Sequence, residues 1–142
     1  MNPGYIYIME DQLNCNVVKI GFTLDPVERL RQLYNTSTPL PFVISYLWGV
    51  DDMGQAELAA HSVMYQHRIN PQREFFFIVP PNSDLPGENC PETCSAYLFG
   101  LSEAIENAFY YYNVNYNAID LEWFKGKYRD RLAEFPDSIK GF

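Results

Sequence analysis

Tyr5-Ile6-Tyr7-Ile8-Met9-Glu10 and Val17-Val18-Lys19-Ile20-Gly21-Phe22 flank a polar stretch, Asp11 to Asn16. The outer runs are β-branched and aromatic and the middle is turn-like, so the reading is an antiparallel hairpin. Alternation puts Tyr5 and Tyr7 on one face. A helix follows: Asp25 is a good N-cap, Pro26 suits the first helical position, and Glu28 completes a capping-box-like pattern. Val27, Leu30, Leu33 and Tyr34 form its apolar stripe, and residues 35–41, with Pro39 and Pro41, end it. Phe42 to Val50 reads as a central strand. Asp51-Asp52 caps a second helix over about 53–67, with Ala56, Ala60, Val63 and Met64 inward. Residues 69–72 form a turn and Arg73 to Val79 a last strand, closed by Pro80-Pro81.

The order β-β-α-β-α-β makes an α/β domain over residues 1–80, a small and mainly antiparallel sheet flanked by helices. Residues 80–94 are rich in Pro, Asn, Asp and Gly and read as a loop. A helix is expected from Ser95 to about Tyr112, a break at 113–117, and a final amphipathic helix from Ile119 to Phe135. Residues 81–142 are therefore expected to be a helical extension. It packs on the domain, joins two copies as a homodimer, or recruits a protein partner.

Composition sets limits. The apolar fraction of 47% is ordinary for a globular chain of 142 residues, so no disulfide framework is required to build a core. Cys15, Cys90 and Cys94 are odd in number and read as free thiols. Cys90 and Cys94 match only half of a zinc site. No apolar run is long enough to span a membrane and no signal segment is visible, so a cytoplasmic location is expected. Net charge is −8. Residues 1–80 hold five Lys/Arg against eight Asp/Glu, and residues 81–142 hold five against ten. Tight, non-specific binding to a polyanion is not expected from such a surface.

Five short motifs follow one another: Gly4-Tyr5-Ile6-Tyr7-Ile8, Lys19-Ile20-Gly21, Arg29 on the first helix, Ala56-Glu57 with His61 on the second, and Arg73-Glu74-Phe75-Phe76. Each residue also has an ordinary reading. Tyr7 suits a sheet aromatic, and Arg29 suits an i,i+4 pair with Asp25. Glu57 and His61 suit a solvated pair on an outer face, and His67 suits a helix C-terminus. Lys19 within an apolar strand needs either a solvent-facing side or a site. Together and in this order, the motifs resemble the GIY-YIG endonuclease superfamily. The resemblance is to the branch named after a phage open reading frame and its relative, the meiotically up-regulated domain, in which Lys-Ile-Gly replaces Tyr-Ile-Gly. It covers residues 4–79 and says nothing of the remainder.

The resemblance implies a metal-dependent phosphodiesterase that cuts DNA, with RNA as the other candidate substrate, using one Mg²⁺ or Mn²⁺ ion. Glu57 would be the metal ligand. The catalytic set would be Tyr7, Lys19, Arg29, His61 and Glu74. Tyr7 would position or deprotonate the attacking water, with its phenol lowered by Lys19 and the metal. Arg29 would stabilise the phosphate, and His61 would contact phosphate or shuttle a proton. Glu74 would complete the site. An asparagine that many members carry has Asn70 or Asn82 as its candidates here. The histidine that some members carry shortly after the helix-one arginine is replaced by Asn35 to Thr38. The other functional reading is a GIY-YIG-fold binding module, or an effector whose tail recruits a protein partner.

Overall fold

The hairpin forms with the register that its alternation demands. A computed structural model describes residues 2–35, 39–69, 74–80 and 90–135. In it β1 (Gly4–Glu10) pairs antiparallel with β2 (Val17–Thr23), setting Tyr7 opposite Gly21 and Met9 opposite Lys19. On the other side β1 pairs with β3 (Val43–Val50), with a register shift between Ile8 and Met9. The short β4 (Phe75–Phe77) flanks β2, and β5 (Tyr116–Ala118) flanks β3. The sheet order is β4-β2-β1-β3-β5, and every pairing is antiparallel. This is the expected α/β architecture with one strand more.

β5 was not legible because its three residues are all exposed, leaving no inside–outside alternation to read. It follows a sharp helix ending. At the end of α3 (Pro91–Tyr111), Asn113 takes a left-handed φ of 58°. The Asn113 N–H then donates to Tyr110 O, and the Val114 N–H to Phe109 O. Both Val114 and Phe109 are buried, which completes a Schellman ending. α3 begins four residues before the expected Ser95, because Pro91 occupies a first-turn position that needs no N–H. The last helix is split at Tyr128 into α4 (Leu121–Lys127) and α5 (Arg129–Leu132); Gly126, a poor helix former, lies just before the break.

Two apolar layers cover the sheet. On one face α2 (Met53–Met64) and α3 pack over Ile6, Ile8, Val18, Ile20 and Trp48. The small residues Ala56, Ala59 and Ala60 let α2 approach closely. Trp48 meets Phe109 edge-on at 5.7 Å and donates its indole N–H to Glu106 at 2.9 Å, whereas Trp123 on α4 is mostly exposed. On the other face α1 (Pro26–Leu33), α4 and α5 enclose Tyr7, Met9, Leu30, Phe124 and Leu132. Asp25 caps α1 as expected, but its ion-pair partner is Arg131 of α5 at 2.7 Å rather than Arg29. His67 is also reassigned. It is buried, with Nδ1 within 3.1 Å of Phe77 O and 3.0 Å of Ile78 O, so its polar atom serves the core instead of a helix end.

The sulfurs of Cys15 and Cys94 lie 3.8 Å apart, and burial pushes the Cys94 thiol up to about 12. Among the described residues, no helix is long and apolar enough to cross a membrane.

Candidate active site

Among the described residues, β4 covers only the first part of β2. It pairs with Val17 to Lys19, one further bond joins Ile20 N to Glu74 O, and no described strand flanks Gly21 to Thr23 on that side. The candidate residues collect at this end of β2. Tyr7 reaches across from β1 and Glu74 folds in from the start of β4. They converge over the α-carbon of Gly21, where a Cβ would stand 2.7 Å from both Tyr7 Oη and Glu74 Oε2. Only glycine leaves that space open. Lys19 Nζ lies 3.8 Å from Glu74 Oε2 and 4.8 Å from the centre of the Phe75 ring. Arg29, on the first turn of α1, donates through Nη2 to Phe22 O at 3.5 Å.

Glu57 comes from α2, on the other face of the sheet, and meets Glu74 at the edge. Its carboxyl is raised to about 7, first by burial and next by the charge and hydrogen bonding of Glu74. Arg68 and Lys19 pull the other way. Two carboxyl groups this close share a proton or a cation far more readily than they carry two bare charges. The Tyr7 phenol is raised, chiefly by burial. Arg29 opposes the shift, and Glu74 and Glu57 add to it. Arg29 is a cation that pulls the phenol down, and in the metal-free protein burial outweighs it.

Among the described residues, the buried side-chain polar atoms with no hydrogen-bond partner are Tyr7 Oη, Arg29 Nε and Glu57 Oε2. All three belong to the expected set. An unpartnered buried polar group costs roughly 1–3 kcal/mol, so three at one edge are a reservoir that needs a reason. The donor set suits a hard cation that keeps most of its waters: two carboxylates beside a phenol. It does not make a closed cage, since no group of three or more His, Cys, Asp or Glu able to hold a metal occurs among the described residues.

His61 stands behind the cluster. Its Nε2 faces Ile20 O at 3.4 Å, and its Nδ1 receives Arg68 Nη2 at 3.0 Å. Burial lowers its pKa and favours the neutral ring. Both nitrogens are occupied by the protein itself. Glu57 and His61 thus form no solvated outer pair. Arg68 is the residue that motif reading missed. The spacing 57, 61, 68 falls on one helical face and would have pointed to it, although the helix gives way to a 3₁₀ turn at Tyr65–His67. Arg73, Asn70 and Asn82 lie outside the described residues.

A family model described as the T5orf172 domain matches residues 4–84, more than half of the chain. The chain belongs to the T5orf172 domain family. The matched span takes in all six candidate residues and the whole of β2. No curated protein and no solved structure matches the chain.

Proposed function

We propose that this T5orf172 domain is a divalent-metal-dependent endonuclease that hydrolyses phosphodiester bonds, with DNA as substrate. The observation that carries the reading is that the buried side-chain atoms left without partners among the described residues, Tyr7 Oη, Arg29 Nε and Glu57 Oε2, belong to groups that act on one another's charge, with the Tyr7 hydroxyl over Gly21. A substrate phosphate with its water and counter-ion would satisfy all three at once. Glu57 and Glu74 would hold one Mg²⁺ or Mn²⁺, which when bound supplies Lewis-acid stabilisation of the phosphate charge.

The chain's own residues do the rest. The Arg29 guanidinium grips the phosphate, and Lys19, beside Glu74, adds a second positive charge against the transition state. Tyr7, whose phenol is raised, keeps its proton near neutral pH and orients the attacking water through its hydroxyl. This favours a positioning role for Tyr7 over a general-base role. The neutral His61 ring, bonded on both sides, holds the edge of β2 in place and does not shuttle a proton. With a net charge of −8, affinity for nucleic acid is expected to be weak and salt-sensitive.

Nicking of supercoiled plasmid with and without Mg²⁺ tests this reading. Wild-type protein is expected to cut only with metal, and Glu57→Ala to lose about 10³-fold in rate. Cutting that survives in Glu57→Ala or in excess chelator would overturn it. Intact plasmid at high protein concentration would favour a binding module.

A further inference from the structure

Arg68 belongs to none of the five motifs, yet it is tied into the site at both ends. Its backbone bridges Phe76, and the next residue's N–H donates to Phe75 O at 3.1 Å, which fixes Arg68 against β4. Its guanidinium lies 5.2 Å from the centre of the buried Phe76 ring, the same ring that His61 contacts at 5.2 Å. Nη2 lies 3.0 Å from His61 Nδ1. A guanidinium carries only donors, so Nδ1 must accept and the ring proton must reside on Nε2. Nε2 faces Ile20 O. Ile20 precedes the Gly21 gap, and its own N–H is held by Glu74 O.

We propose that Arg68 is a positioning residue: it locks His61 in the Nε2–H tautomer and, through His61 and Ile20, holds the α2 carboxylate of Glu57 in register with the gap on β2. The chain Arg68 to His61 to Ile20 ties α2 and the turn that ends it to β2, which lies far off in sequence. Arg68 also attracts the Glu57 carboxylate directly. Lysine replaces it only in part, because an ammonium lacks the planar fork that packs on Phe76 while donating sideways. The kinetic part rests on the nuclease reading; the tautomer part does not.

The test has two arms. In protein labelled with ¹⁵N-histidine at about pH 8, where an ordinary histidine is neutral, His61 is expected to show an unprotonated Nδ1. Arg68→Gln and Arg68→Lys are expected to mix the two tautomers. An Nδ1 that carries the proton in the wild type, or a pattern unchanged in both variants, overturns the proposal. In single-turnover cleavage, Arg68→Gln is expected to lower kcat by about 10–100-fold with KM for the oligonucleotide unchanged, as losses of orienting partners do. Arg68→Lys is expected to recover only part of this. A rise in KM with kcat intact would make Arg68 a surface phosphate contact and overturn the positioning role, as would full rescue by lysine. Thermal melts establish that each variant folds; if Arg68→Gln does not, the wild-type spectrum and Arg68→Lys decide. If the wild type cuts nothing, the nuclease reading fails, while the tautomer arm still gives its answer.

Discussion

The two edges of the sheet are finished to opposite rules. At the β3 edge, β5 supplies backbone partners, and Asn115 donates both its backbone N–H and its side-chain amide to Asp51. Ile119 N then donates to Leu47 O at 2.8 Å, and α4 follows directly. At the β2 edge the described partner strand pairs over three residues, and among the described residues a phenol, a guanidine nitrogen and a carboxylate oxygen are buried without partners. The C-terminal segment closes the β3 edge, and its helices share an apolar layer with Tyr7. Unsatisfied polarity is concentrated where a charged ligand would relieve it, and the well-packed remainder of the fold offsets its cost.

Breaking the sealed side should have the largest effect on stability. Phe124 is buried in the same apolar layer as Leu30 and Leu132. Phe124→Ala is expected to cost about 3–5 kcal/mol in urea denaturation. Tyr7 belongs to the same layer, so cleavage by the remaining folded protein should fall as well; unchanged cleavage would show that the two edges are independent. Gly21→Ala attacks the β2 side instead. Its Cβ would intrude on Tyr7 Oη and Glu74 Oε2, so cleavage should fall about 10²-fold, as expected for a small misplacement of reacting groups. A Gly21→Ala protein with wild-type rates would mean that the gap is not used.

Tyr7→Phe separates the two rules most sharply. Deleting an unpartnered buried hydroxyl should raise stability by about 1–2 kcal/mol while cleavage is lost. Destabilisation instead would show that the hydroxyl is already satisfied.

The smallest effect is a pH slope. Glu57 is raised from 4.5 to about 7, so without metal the folded protein holds a proton that the unfolded chain releases between those values. Stability from this group is therefore fully present below about 4.5 and declines as pH rises towards 7. The melting temperature of metal-free protein should fall across that window, Glu57→Gln should flatten the fall, and Mg²⁺ should reverse it above pH 7. An identical slope in Glu57→Gln would assign it to other groups.

The hairpin, the capped helices and the succession of the first six elements along the chain were legible because period-two alternation and N-cap chemistry are local signals. β5 was not, since three exposed residues leave no such signal, and Pro91 hid the start of α3 inside a loop-like composition. Glu57 stood out from ordinary surface pairs only through the order of the motifs. In the metal-free protein the Tyr7 phenol is raised because burial outweighs its neighbouring charges, and how deeply it is buried is not stated by local sequence. Arg68 escaped because its placement needs a 3₁₀ turn and a bridge to Phe76, both set by tertiary packing.

The contrast between the two indoles has a practical consequence. Trp48 is enclosed by Phe109 and Glu106, whereas Trp123 already faces water beside Lys127. Intrinsic fluorescence will therefore report loss of the interior through one chromophore against a nearly constant background from the other. The native chain thus carries its own internal reference for unfolding, with no dye or label attached.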